Sequence, residues 1–510
     1  MTENTAENMT EEKKEEKNET PPDALTLVRR AGMFMVGLTL LQTLYLGLNA
    51  SRYTIKRFKI PDENVDLFIT KVNNSLQISC FIGTILINIY FWTCKNLQKY
   101  NYKISVVTNF LCFAAYLPLL HSFTSGGPQG HLTYYYYMIT FSSFIYGVNQ
   151  AFMLNIGVPE ITYYSASIPL GGLEAAGFHL IFLSIAERIN VSNIDHSIVV
   201  GQILLSIVMS FITFLLCAYG YWSGPAQNSD NTQNASGAST NTNTTNSNET
   251  NSQTQGNAKT SPPLNEMFNA WSPILMTALG LGIIYGIYPA IMPFKLARLE
   301  SAYRLDLIFM ISSAFPGIIL CIISECTTWG PNRNWKKDAN WNYTWFLAIP
   351  FVILPVIFIL PLHYPYLSIS MLIRNNIWFH GFLGFIYLYC HLILVTVGYS
   401  AAGTQVDFDK QYYDGNASAF NTLFAYFWLI TISLIGHGYL KTYSKYEKDP
   451  DNWPTRHYGF WKSLWFWIPK ALGGACTSLW ATFSADVRGD ILCKKEHLFI
   501  VYEDAPPDYE

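Results

Sequence analysis

The sequence predicts an all-α polytopic membrane protein, a bundle of about eleven transmembrane helices divided six and five by a polar linker. Three observations predict it. Half of the 510 residues are hydrophobic and only 13% are charged. Apolar runs of about 20 residues, the length that spans a bilayer, recur along the chain. Between residues 224 and 262 that pattern stops, and Asn, Ser, Thr and Gln take over, a composition that cannot form a core.

Taken in order, residues 1–30 read as an acidic, polar tail with no cleavable signal peptide, so the first helix is expected to act as its own targeting signal. The first half, 31–223, holds six apolar runs. They lie at about 31–49, from about Asn74 with Gln77 and Asn88 embedded, at about 105–121, twice within 141–182, and at about 198–222. The pair within 141–182 is separated by Gly157-Val158-Pro159-Glu160. The linker, 224–262, contains sequons at Asn234, Asn243 and Asn248, which an Asn- and Ser/Thr-rich tract generates from composition alone. The second half, 263–440, resumes at about 271–294, where three glycines, Pro289 and Pro293 predict a kinked, closely packed helix. Runs at about 305–324, 343–362, 377–400 and 419–440 follow. In the tail, 441–510, the stretch 460–487 is aromatic with Lys462 and Lys470 interleaved, the pattern of a helix or hairpin lying in the membrane interface, with a twelfth span as the alternative. Basic residues are shared between alternate loops, so charge does not fix the orientation.

The densest polar content inside apolar sequence lies between Phe141 and Phe182: Asn149, Gln150, Asn155 and Glu174. In hydrocarbon such groups must face protein or a wet cavity. Gln150 offers both donor and acceptor, either to a bound solute or to a neighbouring helix. Asn149 and Asn155 are expected to be packing groups, and His179 a satisfied core histidine. Glu174 is either a proton or solute contact or a neutral, hydrogen-bonded carboxyl. Asp306 beside Arg304 reads as a charge pair at a helix start. No zinc-binding His/Glu spacing, phosphate-binding Gly-rich loop or nucleophile elbow is present, so neither an enzyme nor a cofactor is indicated, nor a self-powered ATP pump. No basic, aromatic-interleaved surface points to a nucleic acid polymer.

With the pair in 141–182 as the fourth and fifth helices, the pattern resembles the equilibrative nucleoside transporter family. The residues that carry it are Gly147, Gln150, Gly157 and Pro159, then Gly172-Leu-Glu-Ala-Ala-Gly177, Tyr288-Pro289-Ala290 in the seventh helix and Gly398-Tyr399 in the tenth. The first helix keeps Gly37 and Leu41 of the family's motif but has Thr43-Leu44-Tyr45 where the family has Pro-Trp-Asn. In the eighth helix, Glu325 falls near the family's Asp and Trp329 near its Arg.

The resemblance implies a major-facilitator-like bundle in which the two halves rock about a central site. It implies a nucleoside or nucleobase as solute and the plasma membrane as location. Gln150 would orient the base, Glu325 would accept hydroxyl or amine hydrogens, Leu44 and Trp329 would line the pocket, and Glu174 would contribute a carboxyl. Another solute carrier, including one coupled to protons through Glu174, and a non-transport polytopic protein fit the hydropathy equally well.

Overall fold

The computed structural model describes residues 24–48, 51–61, 65–127, 130–224, 268–337, 340–406, 414–447, 453–483 and 487. Most of the N-terminal tail, nearly all of the linker with its three sequons, and the last residues of the chain lie outside these. The helices are α1 (Ala24–Leu40), α2 (Gln42–Leu48), α3 (Ser51–Arg57), α4 (Val65–Thr93), α5 (Asn101–Thr124), α6 (Leu132–Ile156), α7 (Ile161–Ile189) and α8 (Ile194–Tyr221). After the linker come α9 (Trp271–Ile287), α10 (Leu299–Ser312), α11 (Ala314–Cys326), α12 (Ala348–His363), α13 (Ser368–Asn375), α14 (Ile377–Ala402), α15 (Gly415–Glu447) and α16 (Phe460–Thr482).

Ten helical stretches among the described residues are long and apolar enough to cross a membrane. An eleventh, α6, is 25 residues long and uncharged, and it packs between α4 and α5. Its tyrosines and amides lower its hydropathy, which is why apolarity alone passes over it. Large apolar side chains such as Leu86, Phe110, Val208, Leu215 and Ile353 stay exposed on the outer faces of these helices. On an integral multi-pass protein that surface meets lipid.

Local sequence sets the helix ends. Gly157 closes α6, a single 3-10 turn spans Val158–Glu160 with Pro159 inside it, and α7 starts at Ile161, as the sequence predicts. The seventh run is shorter than the expected 271–294. Tyr288 is extended (φ -101, ψ 138) because the ring of Pro289 disfavours the helical region for the residue before it, and turns follow through Pro293. The eighth run is two helices, α10 and α11, that meet at Ser313. The first is likewise interrupted, at Leu41.

Each half has its own core. One gathers Met33, Phe68, Tyr116, Tyr146, Met153 and Tyr221; the other gathers Met276, Phe309, Phe351, Phe358, Tyr387 and Trp467. A smaller cluster of Ile78, Leu429, Ile430, Leu434 and Ala475 joins them. Helix α16 belongs to both: Gly474 meets Gly438 of α15, and Thr482 O accepts from the Tyr136 hydroxyl of α6 at 3.2 Å. Its other face exposes Trp461, Trp465, Trp480 and Phe483.

Helices α1 and α7 run parallel and very close, Met33 beside Gly157 and Gly37 beside Tyr164. A Cβ at position 37 would lie 2.1 Å from Ser167 Oγ and 2.3 Å from the Tyr164 carbonyl oxygen. Gly37→Val is therefore expected to destabilise the protein by about 1–3 kcal/mol through overpacking. The midpoint of thermal unfolding in detergent reads this, and an unchanged midpoint would count against the close approach.

Candidate functional site

The two halves meet closely at the end of the bundle where α1 begins. The Arg30 guanidinium (α1) pairs with the Glu325 carboxylate (α11) at 3.1 Å and lies over the Tyr163 ring (α7) at 5.5 Å. Asn155 Nδ2 (α6) donates to Asn416 Oδ1 (α15) at 2.8 Å, and Asn101 Nδ2 (α5) donates to Asn155 Oδ1 at 2.9 Å. Gly415 presses on the Asn155 backbone, Gly317 on Ala166, and Gly403 on Val158. Pairing amides across helices satisfies groups that lipid could not.

One layer further in, Gln150 is 1% exposed. Its Nε2 donates to the Tyr164 hydroxyl at 2.7 Å, and its Oε1 accepts from the Tyr426 hydroxyl at 2.9 Å. The Tyr164 ring meets Tyr399 edge-on at 6.1 Å. Side chains from α6, α7, α14 and α15 thus close one polar knot, with residues of both halves in it.

Beyond this layer, toward the other end, the half-buried side chains of Glu174, Tyr45, Tyr285, Tyr288 and Asp306 face across the halves, with Gln42 and Ser206 buried beside them. Glu174 Oε2 (α7) accepts from Gln42 Nε2 (α2) at 2.5 Å, and Gln42 Oε1 accepts from Ser206 Oγ (α8) at 3.2 Å. The Tyr45 ring rests on Gly171 and Gly172 and lies within electrostatic reach of Glu174 and of Tyr285 (α9). The Tyr288 hydroxyl donates to Asp306 Oδ1 (α10) at 2.5 Å, and Tyr288 neighbours both Tyr285 and Tyr45. Carboxyls, phenols, an amide and a hydroxyl from five helices (α2, α7, α8, α9 and α10) therefore surround one region between the halves, the kind of polar groups that orient a ligand in a small-molecule site.

The residues singled out in the sequence do not converge on one pocket. Glu174 belongs to this group. Leu44, one residue before Tyr45, is partly buried against the first core. Gln150 is sealed in the knot. Glu325 is an ion-pair partner at the packed end, and Trp329 is 50% exposed beyond α11, its carbonyl accepting from Trp341 Nε1 at 2.9 Å. Asn149 is a packing group, taking the Thr108 hydroxyl at 2.7 Å and donating to Asn109 at 3.2 Å. His179 is satisfied by Gln202 at 2.8 Å. Asp306 is not only a helix-start charge, because it takes the Tyr288 hydroxyl.

Sequence reasoning missed Gln42, Tyr285 and Tyr288. Gln42, an amide inside an apolar run, was the signal available for the first; Tyr288 was noted only as part of the Tyr288-Pro289-Ala290 step, and Tyr285 is not distinguishable from the chain's many other aromatics. Arg29 is buried and structural: its guanidinium donates to the carbonyls of Gly220 at 2.8 Å and Gly224 at 2.5 Å, placing a cation at the C-terminal end of α8.

No family model matches this chain, and no curated protein matches it in sequence. Solved structures that it resembles include the proton:xylose symporter XylE bound to 6-bromo-6-deoxy-D-glucose, at 12% identity and a TM-score of 0.46 over 90% of this chain and 94% of that one. A bacterial homologue of the human lysosomal transporter Spinster, inward-facing and unoccupied, gives 12% and 0.46 over 91% and 95%. An outward-facing bacterial homologue of the iron transporter ferroportin gives 10% and 0.43 over 92% and 100%. Likenesses at this level assign neither a family nor a solute.

The Arg30 and Glu325 side chains are partly exposed, so their pair contributes on the order of 0–1 kcal/mol, up to about a fivefold shift between packed and parted ends. Cys321, one turn before Glu325, reports on that end. Its maleimide labelling, mapped by mass spectrometry, is expected to rise in Arg30→Glu and in Glu325→Arg and to fall back in the double variant. Labelling that stays raised in the double variant would show that the two charges do not act as a pair.

Proposed function

We propose that this chain is a multi-pass carrier of the plasma membrane that moves a nucleoside or nucleobase by alternating access. The observation that carries the reading is the asymmetry of the interface. The halves are packed at one end through Arg30–Glu325, Asn155–Asn416 and the Gln150 knot, while half-buried polar side chains face one another deeper in. A carrier opens its two ends in turn around such a region. The nucleoside assignment rests on the sequence resemblance.

In this reading Glu174 and Tyr45 meet the solute together with Tyr285, Tyr288 and Asp306, and Leu44 supplies apolar lining beside Tyr45. Gln150 holds the packed end and becomes free to meet a base when Tyr164 and Tyr426 part. Glu325 latches the same end, with Trp329 at its mouth. The second reading is a carrier of another solute, favoured by the two carboxyls of Glu174 and Asp306 in the central group and by the missing eighth-helix arginine of the nucleoside family.

Tritiated adenosine or hypoxanthine uptake into vesicles containing the protein tests the proposal, with saturable uptake expected. Gln150→Ala removes the amide that meets the base once Tyr164 and Tyr426 part, a hydrogen bond worth about 0.5–1.5 kcal/mol, so uptake is expected to fall by up to about tenfold. Equal uptake by variant and wild type would remove Gln150 from the site. No uptake of any nucleoside or nucleobase would remove the substrate assignment.

A further inference from the structure

We propose that Glu174 is the proton-binding group of this carrier, taking up one proton on its free carboxylate oxygen from the space between the halves in each transport cycle. The inference rests on the carrier reading and adds a coupling ion to it.

The first ground is that the carboxyl lacks a charge partner. Glu174 sits inside a spanning helix of 29 residues. Its hydrogen-bond partner among the described residues is the uncharged amide of Gln42, and none of the ion pairs found there includes it. A carboxylate carried through a cycle in which its surroundings alternately open and close must be neutralised or hydrated when they close. A proton does this without a basic residue.

The second ground is the orientation of Gln42. Ser206 has a single hydroxyl hydrogen and lies closer to the Gln202 carbonyl oxygen (2.9 Å) than to Gln42 Oε1 (3.2 Å), so it is Glu174 that orients Gln42: an ionised carboxylate only accepts, and Gln42 Nε2 donates to Oε2. An N–H beside a carboxylate occupies one oxygen and repels a metal cation, which would need several oxygen ligands in the same place. The other oxygen, Oε1, has no hydrogen-bond partner among the described residues, and the side chain is half-buried. A proton can therefore reach Oε1 while Oε2 stays bonded to Gln42. The proton comes from water and adds to the carboxylate to give a neutral carboxyl, and it returns to water on the opposite side.

The surrounding titratable groups are accounted for. From α2 Glu174 is faced by Tyr45, and from α9 by Tyr285 through Tyr45. Asp306 of α10 is held by Tyr288. On α7 itself His179 is bonded to Gln202 of α8, which otherwise presents the uncharged Ser206. His391 of α14 is engaged with the Gly280 carbonyl. Arg29 and Arg30 of α1 and Glu325 of α11 are engaged at the packed end.

The test uses the full chain in lipid bilayers. Infrared difference spectra between neutral and acidic pH are expected to contain a protonated-carboxyl carbonyl band that is lost in Glu174→Gln and shifted in Glu174→Asp. Identical titrating spectra in wild type and Glu174→Gln would overturn the proposal. In vesicles loaded with the pH dye pyranine, added adenosine is expected to acidify the lumen with wild-type protein. Adenosine counterflow without acidification would overturn the coupling and leave the carrier reading intact. Absence of counterflow with the Glu174 band retained would overturn the nucleoside reading and leave Glu174 as a proton site.

Discussion

Inside a bilayer no water is available to satisfy an amide, hydroxyl or carboxyl, so each one must find its partner on another helix or in a wet cavity. This constraint organises the bundle more than apolar contact does, because lipid tails are as apolar as the helices they bathe. It explains why Asn155 bridges Asn101 and Asn416, why Gln150 is held at both ends of its amide, and why Thr108, Asn109 and Asn149 form a closed set. The polar residues of a spanning helix thus record where its neighbours are. Glu174 is half-buried and has one carboxyl oxygen bonded, so it keeps bonding capacity that the packed amides do not.

The layering of these contacts gives the molecule a direction. Parallel packing of α1 on α7, together with antiparallel α8 and α11, brings Arg29, Arg30, Glu325 and the end of α8 to one level. Contacts between the halves are concentrated there. At the opposite end the halves are joined through α4 and α15, where His437 meets Asn74 at 3.0 Å, and through α16. The halves are therefore in contact at both ends, through different helices at each.

Much of the fold was legible because it rests on local chemistry. The break at Gly157–Glu160, the spanning runs and an aromatic helix near residue 460 follow from hydropathy and from glycine and proline. The errors have local causes as well. Pro289 ends α9 by forcing Tyr288 into an extended backbone, whereas a kinked continuation was expected. The site was less legible, since it is defined by which helices face one another. Gln150 looked like a solute contact because its amide is anomalous in an apolar run, yet a helix neighbour produces the same anomaly. Glu325 was placed by counting along one helix, and its partner Arg30 lies some three hundred residues earlier. Tyr285 and Tyr288 gain their significance only from standing opposite Tyr45 and Asp306.

The capping of α8 by Arg29 has a topological consequence. Gly220 and Gly224 are held beside the first turns of α1, so the chain enters the linker from the same face on which α1 begins. It leaves the linker there too, because Asn269 Nδ2 reaches the Val406 carbonyl beside the Gly403–Val158 contact. The described ends of α1, α8 and α9 that flank the N-terminal tail and the Asn-rich linker therefore lie in one compartment. A sugar attached at Asn234, Asn243 or Asn248 would mark that compartment as the lumenal or extracellular one, and with it the sidedness of every other loop in the chain.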